Sequence, residues 1–323
     1  MSILNRRDLI LAGASFALST TCARAAAYPE RPLTIVVPYA AGGAGDTIMR
    51  VLSQALEREF GQPLVIEARS GGGGNIGAHA VANAAPDGYT LMLGAANNFV
   101  INQFMLKGAV DPFAAFALIT KVADVPSVLY THPSVPATTL AAFIAYAKAN
   151  PGKLNYASPS VGTTPHLAVE RLKQLTGIQL THIPYRGAPP AMQALLTNDV
   201  QLYLAGWGVG RAHVDAGRVR ALAVASEKRL PDVAVPTAAE SGVADYIASN
   251  WWGLAAPRGT PAEVIDKVRN AFVAALAEAS VVQKLGEMGF VPASTTPQSF
   301  LESAKAEAAV WATTIRDGKL ANE

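Results

Sequence analysis

The chain of 323 residues contains a single cysteine, Cys22, so no disulfide can staple it and a folded core must hold it together. It lacks any apolar run of membrane-spanning length, which argues against a helical membrane bundle. Charge of one sign is also missing. With Arg6, Arg7, Arg24 and Asp8 set aside, the 26 basic and 24 acidic residues of the whole chain fall to 23 and 23, a balance that argues against nucleic acid or an anionic membrane as partner. No G-x-S-x-G occurs, no cysteine lies beyond residue 22, and no serine stands by sequence beside a histidine and an acid, so nucleophilic catalysis finds no support. None of His79, His132, His166, His182 and His213 forms a metal-spaced pair with another; His166 and Glu170, four apart, make at most an incomplete two-ligand set.

What is present starts with an export signal: Arg6-Arg7, an apolar stretch from Leu9 to Ala17, and Ala23-Arg24-Ala25 at the cleavage position. The stretch is too short to span a bilayer. Asn5-Arg6-Arg7-Asp8 partly matches a twin-arginine signal, so both that route and the general one remain open. Ser19-Thr20-Thr21 before Cys22 is a poor lipobox, and a lipoprotein is the minor reading.

From Leu33 onward, short β-branched runs alternate with amphipathic helical runs, the pattern of α/β units with mostly parallel strands. Leu33–Val37 reads as a buried strand. Ile48, Leu52, Ala55, Leu56 and Phe60 mark one face of the helix that follows, with Asp46 placed to cap its start and Gly61 to end it. A strand at 64–67, a helix at 76–84 and a strand at 90–93 complete a first unit. A second begins near Val128, with a helix at 140–149 capped by Thr139 or Thr138, a strand at 154–157, a helix from Pro165, and strands at 181–183, 200–204 and 219–225. Trp251–Pro257 resembles a strand crossing back, Thr260-Pro261-Ala262-Glu263 combines a capping box with proline at the first helical position of a helix to Ala279, and a helix at 300–316 closes the chain.

Gly72-Gly73-Gly74-Asn75-Ile76-Gly77 satisfies G-x-G-x-x-G, but the next strand ends without the acid a nicotinamide ribose requires. The run is therefore read as a tight backbone turn, and no cofactor is expected. Two other loops point to chemistry: Pro38–Asp46 and Ser158–His166 each lead from a strand into a helix start, are rich in small residues, and contain no Lys or Arg. Such loops can hold a carboxylate through backbone N–H groups, hydroxyls such as Thr163 and Thr164, and water. Glycine and threonine are also common at ordinary strand-to-helix turns, and that reading stays open.

The chain resembles the solute-binding receptors of tripartite tricarboxylate transporters, the Bug family, along essentially its whole length after the export signal. Matching stretches include Ile35–Gly43 with Asp46, Gly71–Gly77, Ala85–Leu91, His182–Gly187, Arg220–Val224 and Gly253–Pro257. The resemblance implies an α/β, two-domain periplasmic-binding-protein fold of the type II, Venus flytrap kind. Residues 1–25 are the signal, 26–126 and 251–323 form a discontinuous domain I, and 127–250 form domain II. It further implies a periplasmic monomer, neither enzyme nor metalloprotein. Such a receptor captures a small carboxylated compound between its domains and delivers it to the membrane subunits; a sensor's ligand-presenting partner and a secreted hydrolase using His166 are the alternatives. Carried over by position, the ligand shell is Tyr39, Gly42, Gly43, Ala96, Asn97, Asn98, Ser158, Gly162, Thr163, Thr164 and His166. Trp207 joins them if it faces the cleft, where it would favour a planar or apolar ligand body; a core position is the other reading.

Overall fold

A computed structural model describes residues 28–185, 187–230, 233–248 and 250–321. The expected export signal with Cys22, Arg186 of the His182–Gly187 stretch, and Ser249 lie outside the described residues.

Two mixed sheets make up the molecule. The first, ordered β11-β4-β10-β3-β1-β2, is built from β1 (Leu33–Val37), β2 (Leu64–Ala68), β3 (Thr90–Ala95), β4 (Phe116–Val125), β10 (Asn250–Pro257) and β11 (Val291–Pro292). The second, ordered β7-β6-β8-β5-β9, comprises β5 (Ser127–Thr131), β6 (Leu154–Ser158), β7 (Leu180–Pro184), β8 (Leu202–Gly206) and β9 (Arg220–Val224). In the first sheet β2, β1 and β3 run parallel, joined by α1 (Ala44–Phe60) and α2 (Asn75–Ala82), and β10 returns antiparallel between β3 and β4. The apolar run Leu33–Val37 is central and buried on both faces, as parallel strands covered by helices require.

Helix α1 forms because Ile48, Met49, Leu52, Ala55, Leu56 and Phe60 recur at helical spacing and are all buried, and it stops where Gly61 adopts φ +64 and donates its N–H to Glu57 O. Thr139 caps α6 (Leu140–Ala149) by accepting from Ala142 N at 3.1 Å. The capping box expected at Thr260 does not form. Its hydroxyl turns back to Pro257 O at 2.8 Å, Pro261 takes the N-cap position, and α10 spans Ala262–Ala277 before α11 (Ala279–Glu287) continues at a new angle set by the extended Glu278. Strand β4 was not expected from the sequence, although Ala117–Ala123 carries a strand-like mixture of apolar and β-branched residues.

The chain leaves the first sheet through Pro126, between β4 and β5, and returns at β10, where Asn250 is the register partner of Val125. The two crossings, more than a hundred residues apart in sequence, are thus neighbours. Helix α12 (Pro297–Gly318) packs on β4 and on α3 (Ala96–Val100) of the first half, and also on α7 (Thr164–Thr176) of the second. Its Phe300 and Trp311 share one buried cluster with Phe99 and Trp251 on one side and Phe143, Tyr156 and Leu167 on the other. Each such fully buried aromatic removes apolar area from water at about 25 cal/mol per Å², so this shared cluster binds the two halves together.

Candidate functional site

The first loop leaves the carboxyl end of β1, beside that of β3, where open parallel sheets place their ligands. Gly42 stands at φ +78, a conformation open to glycine, and Gly43 is the N-cap of α1. Asp46, expected at the cap, is instead the third helical residue, and its buried carboxylate reaches back to accept from Gly42 N at 3.0 Å and from Arg50 Nε at 2.7 Å. The Arg50 guanidinium, with the Gly42 N–H, holds this carboxyl below the usual carboxylate range.

Beside it the Tyr39 hydroxyl donates to Asn97 Oδ1 at 2.7 Å and approaches Asn98 Oδ1 at 3.0 Å, while its ring meets Trp252 edge-on at 5.5 Å. Burial pushes the Tyr39 phenol far above its ordinary value. The asparagines lie in α3, the continuation of β3. Asn98 Oδ1 also accepts from Ala95 N, and Asn97 Nδ2 donates to Asn102 Oδ1 of α4 (Asn102–Met105).

The glycine run is tied to the same network. Gly71, Gly72, Gly73 and Gly74 have φ of +131, +55, +62 and +90, and the Gly73 carbonyl receives side-chain amides from Asn97 at 3.0 Å, Asn98 at 3.4 Å and Asn102 at 3.0 Å. A Cβ on Gly74 would fall 2.4 Å from Asn98 Nδ2. The run therefore serves close packing on an asparagine cluster, for which the spacing of a nucleotide fingerprint is incidental.

The second loop leaves β6 and enters α7 with Thr163 as N-cap. Gly162, at φ +76, donates its N–H to Nδ1 of His166 at 3.2 Å, and Ser160 O accepts the hydroxyls of both Ser158 and Thr163, at 2.9 and 2.8 Å. Ser158 Oγ also lies 2.7 Å from His182 Nε2. This brings together a serine and a histidine that the sequence left apart. Ser158 is fully buried and its proton is committed to Ser160 O, so it is not a nucleophile. The rings of His166 and His182 stack at 4.1 Å, with Tyr156 against His182 at 4.8 Å. Glu170 accepts from Tyr156 at 2.5 Å and pairs with Lys173 at 2.7 Å, which occupies the carboxylate that a metal beside His166 would need.

The two loops, the glycine run and α4 enclose a cavity of about 500 Å³. Of the expected shell, Tyr39, Asn97, Gly162 and Thr163 line it. Gly42 and Gly43 belong to the loop that walls it but do not line it, and their N–H groups are committed internally, Gly43 N to Ala40 O at 3.2 Å. Ala96, Asn98, Ser158, Thr164 and His166 are buried behind the walls. Trp207 lies elsewhere: half-buried at the start of α9 (Trp207–Asp215), it donates its backbone N–H to Pro126 O and lines a separate cavity of about 430 Å³ with Arg211 and Phe290. The sequence missed Ser70, Asn102, Leu106, Ser160 and Val161 as wall residues. Of these, Ser160 and Val161 lie within the Ser158–His166 loop singled out by the sequence and Ser70 adjoins the glycine run, whereas Asn102 and Leu106 carried no signal. Among the described lining residues none bears a charge.

The paired sheets, their crossings and an uncharged cleft between two strand-to-helix loops define a solute-binding protein of the periplasmic type. The family model described as the tripartite tricarboxylate transporter family receptor matches residues 48–320, and the chain belongs to that family. It is 34% identical to Protein BugT of Bordetella pertussis over 294 residues, covering 90% of each chain. Among solved structures it is similar to R. palustris Rpa4515 with adipate (34% identity, TM-score 0.81, covering 91% of this chain and 99% of that one). It is also similar to MatC of Rhodopseudomonas palustris with bound malate (28% identity, TM-score 0.76, covering 89% and 100%). The periplasmic binding protein BugD shares 31% identity at a TM-score of 0.78, covering 92% and 100%. The family is one of receptors, and the chain is a receptor rather than an enzyme.

Proposed function

We propose that this receptor captures a small mono- or dicarboxylate in the 500 Å³ cleft and delivers it to membrane subunits of the tripartite tricarboxylate type. The observation that carries the reading is the convergence on one cavity of the loops that open α1 and α7, since helix starts favour an anion even where no cation lines the wall. With the N–H groups of Gly42, Gly43 and Gly162 and the hydroxyl of Thr163 already engaged, the carboxylate is held by other loop amides, by the hydroxyls of Ser70 and Ser160, and by water. Adipate and malate, seen in the two relatives, are the first probes.

The same reading makes residues 26–126 with 251–323 one clamp domain and 127–250 the other, hinged at 125–128 and 249–252, in a monomer exported to the periplasm after cleavage near Ala25. Calorimetric titration of residues 26–323 with a panel of carboxylates including adipate and malate tests the binding. Saturable heat with no chemical conversion is expected, and no binding by any member of the panel, or turnover of a bound acid, rejects it. Small-angle scattering with a saturating ligand tests the hinge: the radius of gyration should shrink, and an unchanged value with binding confirmed in the same sample rejects the closing motion.

A further inference from the structure

The two cleft loops contain the same internal lock, made with different acceptors. In the first, the residue before the N-cap is Gly42 at φ +78, and its N–H is held by the third helical residue, Asp46, at 3.0 Å. In the second, the residue before the N-cap is Gly162 at φ +76, and its N–H is held by the third helical residue, His166, at 3.2 Å. The correspondence extends outward. The N-cap carbonyls of Gly43 and Thr163 accept from Thr47 N at 2.9 Å and Leu167 N at 3.1 Å. Three residues before each N-cap, the Ala40 carbonyl takes the Gly43 N–H and the Ser160 carbonyl takes the Thr163 hydroxyl. Each lock fixes a left-handed glycine and so decides where the neighbouring N–H groups of its wall point.

We propose that Asp46 and His166 are paired positioning residues that shape the two walls of the cleft, and that the histidine lock alone releases in acid. A carboxylate accepts hydrogen bonds whenever it is ionised, and Arg50 keeps Asp46 ionised to low pH. An imidazole accepts at Nδ1 only while that nitrogen is bare. Protonation sets N–H against N–H, and the Gly162 amide is expelled.

The groups facing His166 are few. From β7 comes the stacked ring of His182, which supplies the Nε2 proton to Ser158 Oγ because the serine's own proton goes to Ser160 O. From β6 comes Tyr156, its ring 6.4 Å away and its hydroxyl on Glu170. On α7 itself stand Glu170 and Lys173, paired with each other. Burial lowers the pKa of His166; Glu170 opposes that shift and Lys173 adds to it, so the lock opens below the ordinary histidine range. The direct consequence is a change in shape of the second wall. Its effect on ligand affinity rests on the carboxylate reading above.

Amide hydrogen exchange of Gly42 and Gly162 in the ligand-free protein tests the lock, comparing wild type with His166→Asn, whose Oδ1 replaces Nδ1 as acceptor, and His166→Leu. In wild type the protection factor of Gly162 should fall about tenfold or more between about pH 7.5 and the acid limit of the folded protein, while that of Gly42 holds. The Asn variant should keep Gly162 protected without pH dependence, and the Leu variant should leave it unprotected throughout. Constant Gly162 protection in wild type, or the same acid loss in His166→Asn, overturns the proposal, and the Asn comparison decides even if the Leu variant does not fold. In a second arm adipate is titrated at both pH values. The acid-to-neutral affinity ratio should be lower for wild type than for His166→Asn, and equal ratios overturn the link from lock to affinity. If adipate and every other carboxylate fail to bind wild type, the proposed function fails while the exchange data still decide the lock.

Discussion

Gly208 and Gly289 meet backbone to backbone: a Cβ on Gly208 would lie 2.4 Å from the Met288 carbonyl oxygen, and one on Gly289 would lie 2.6 Å from the Gly208 nitrogen. Gly208 belongs to α9 on the second sheet, whereas Gly289 follows α11 beside β11 on the first, so the contact joins the two halves near the crossing at Pro126. Gly208→Ala should therefore destabilise the protein by about 1–3 kcal/mol through overpacking. Gly286→Ala, one turn earlier on α11 with open space around its Cβ, should be neutral or stabilising by up to about 1 kcal/mol from helix propensity. Urea unfolding of both variants checks the contrast, and equal midpoints would refute it.

A second prediction concerns Glu307, whose half-buried carboxylate accepts from both Trp251 Nε1 at 2.8 Å and Trp311 Nε1 at 3.0 Å. Burial pushes its pKa up and the two indoles pull it back. Glu307→Leu leaves two indole N–H groups without an acceptor and should cost roughly 2–5 kcal/mol, whereas Glu307→Gln retains one acceptor and should cost less. Urea midpoints, with tryptophan fluorescence as the probe, measure both.

At the glycine run, Gly74→Ala forces an L side chain into φ +90 and drives its Cβ against Asn98 Nδ2. A loss of about 1–3 kcal/mol is expected from strain and overpacking, together with weaker ligand binding as the Tyr39–Asn97 contact is displaced. Wild-type stability and affinity in the variant would show that the run tolerates a side chain.

The stacked histidines predict how stability depends on pH. Burial first, then the His166 ring and Lys173, lower the pKa of His182 to about 3. The unfolded chain, with an ordinary histidine pKa of about 6.5, therefore binds this proton before the folded chain does. The stabilisation from a neutral His182 is fully present above about pH 6.5 and is lost progressively as the pH falls toward 3. Urea midpoints over about pH 7.5 to 4.5 should fall more steeply for wild type than for His182→Gln, and parallel profiles would contradict the shift.

Much of this molecule was legible in one dimension. Runs such as Leu33–Val37 and the Ile48–Phe60 face declared strand and helix because a parallel sheet buries its strands on both faces and a surface helix buries one stripe. The two small-residue loops stood out because strand-to-helix connections that approach a ligand favour glycine, threonine and proline. The N-cap at Thr139 and the stop at Gly61 are local chemistry, written within four residues. Where local rules competed, the sequence was ambiguous. Thr260 turned to Pro257 rather than capping α10, and Asp46 acts from the third position of α1 instead of its cap.

Which side chains face the cleft was a decision of the tertiary structure. Asn98 and His166 carry the right chemistry beside the right loops, yet packing uses both to brace the walls from behind. Nothing local separates Asn97, which lines the cavity, from its neighbour Asn98, which does not; only the direction in which α3 leaves β3 distinguishes them. Trp207 was equally undetermined, and the close approach of Gly208 to Gly289 from the other half accounts for its place by Pro126. Sequence by itself determined many of the elements, the family and the two loops, because propensity, periodicity and turn chemistry act over a few residues. The pairing of Val125 with Asn250, the Ser158–His182 contact and the meeting of the two small-residue loops at one cavity arose only on folding, because each joins residues distant in sequence.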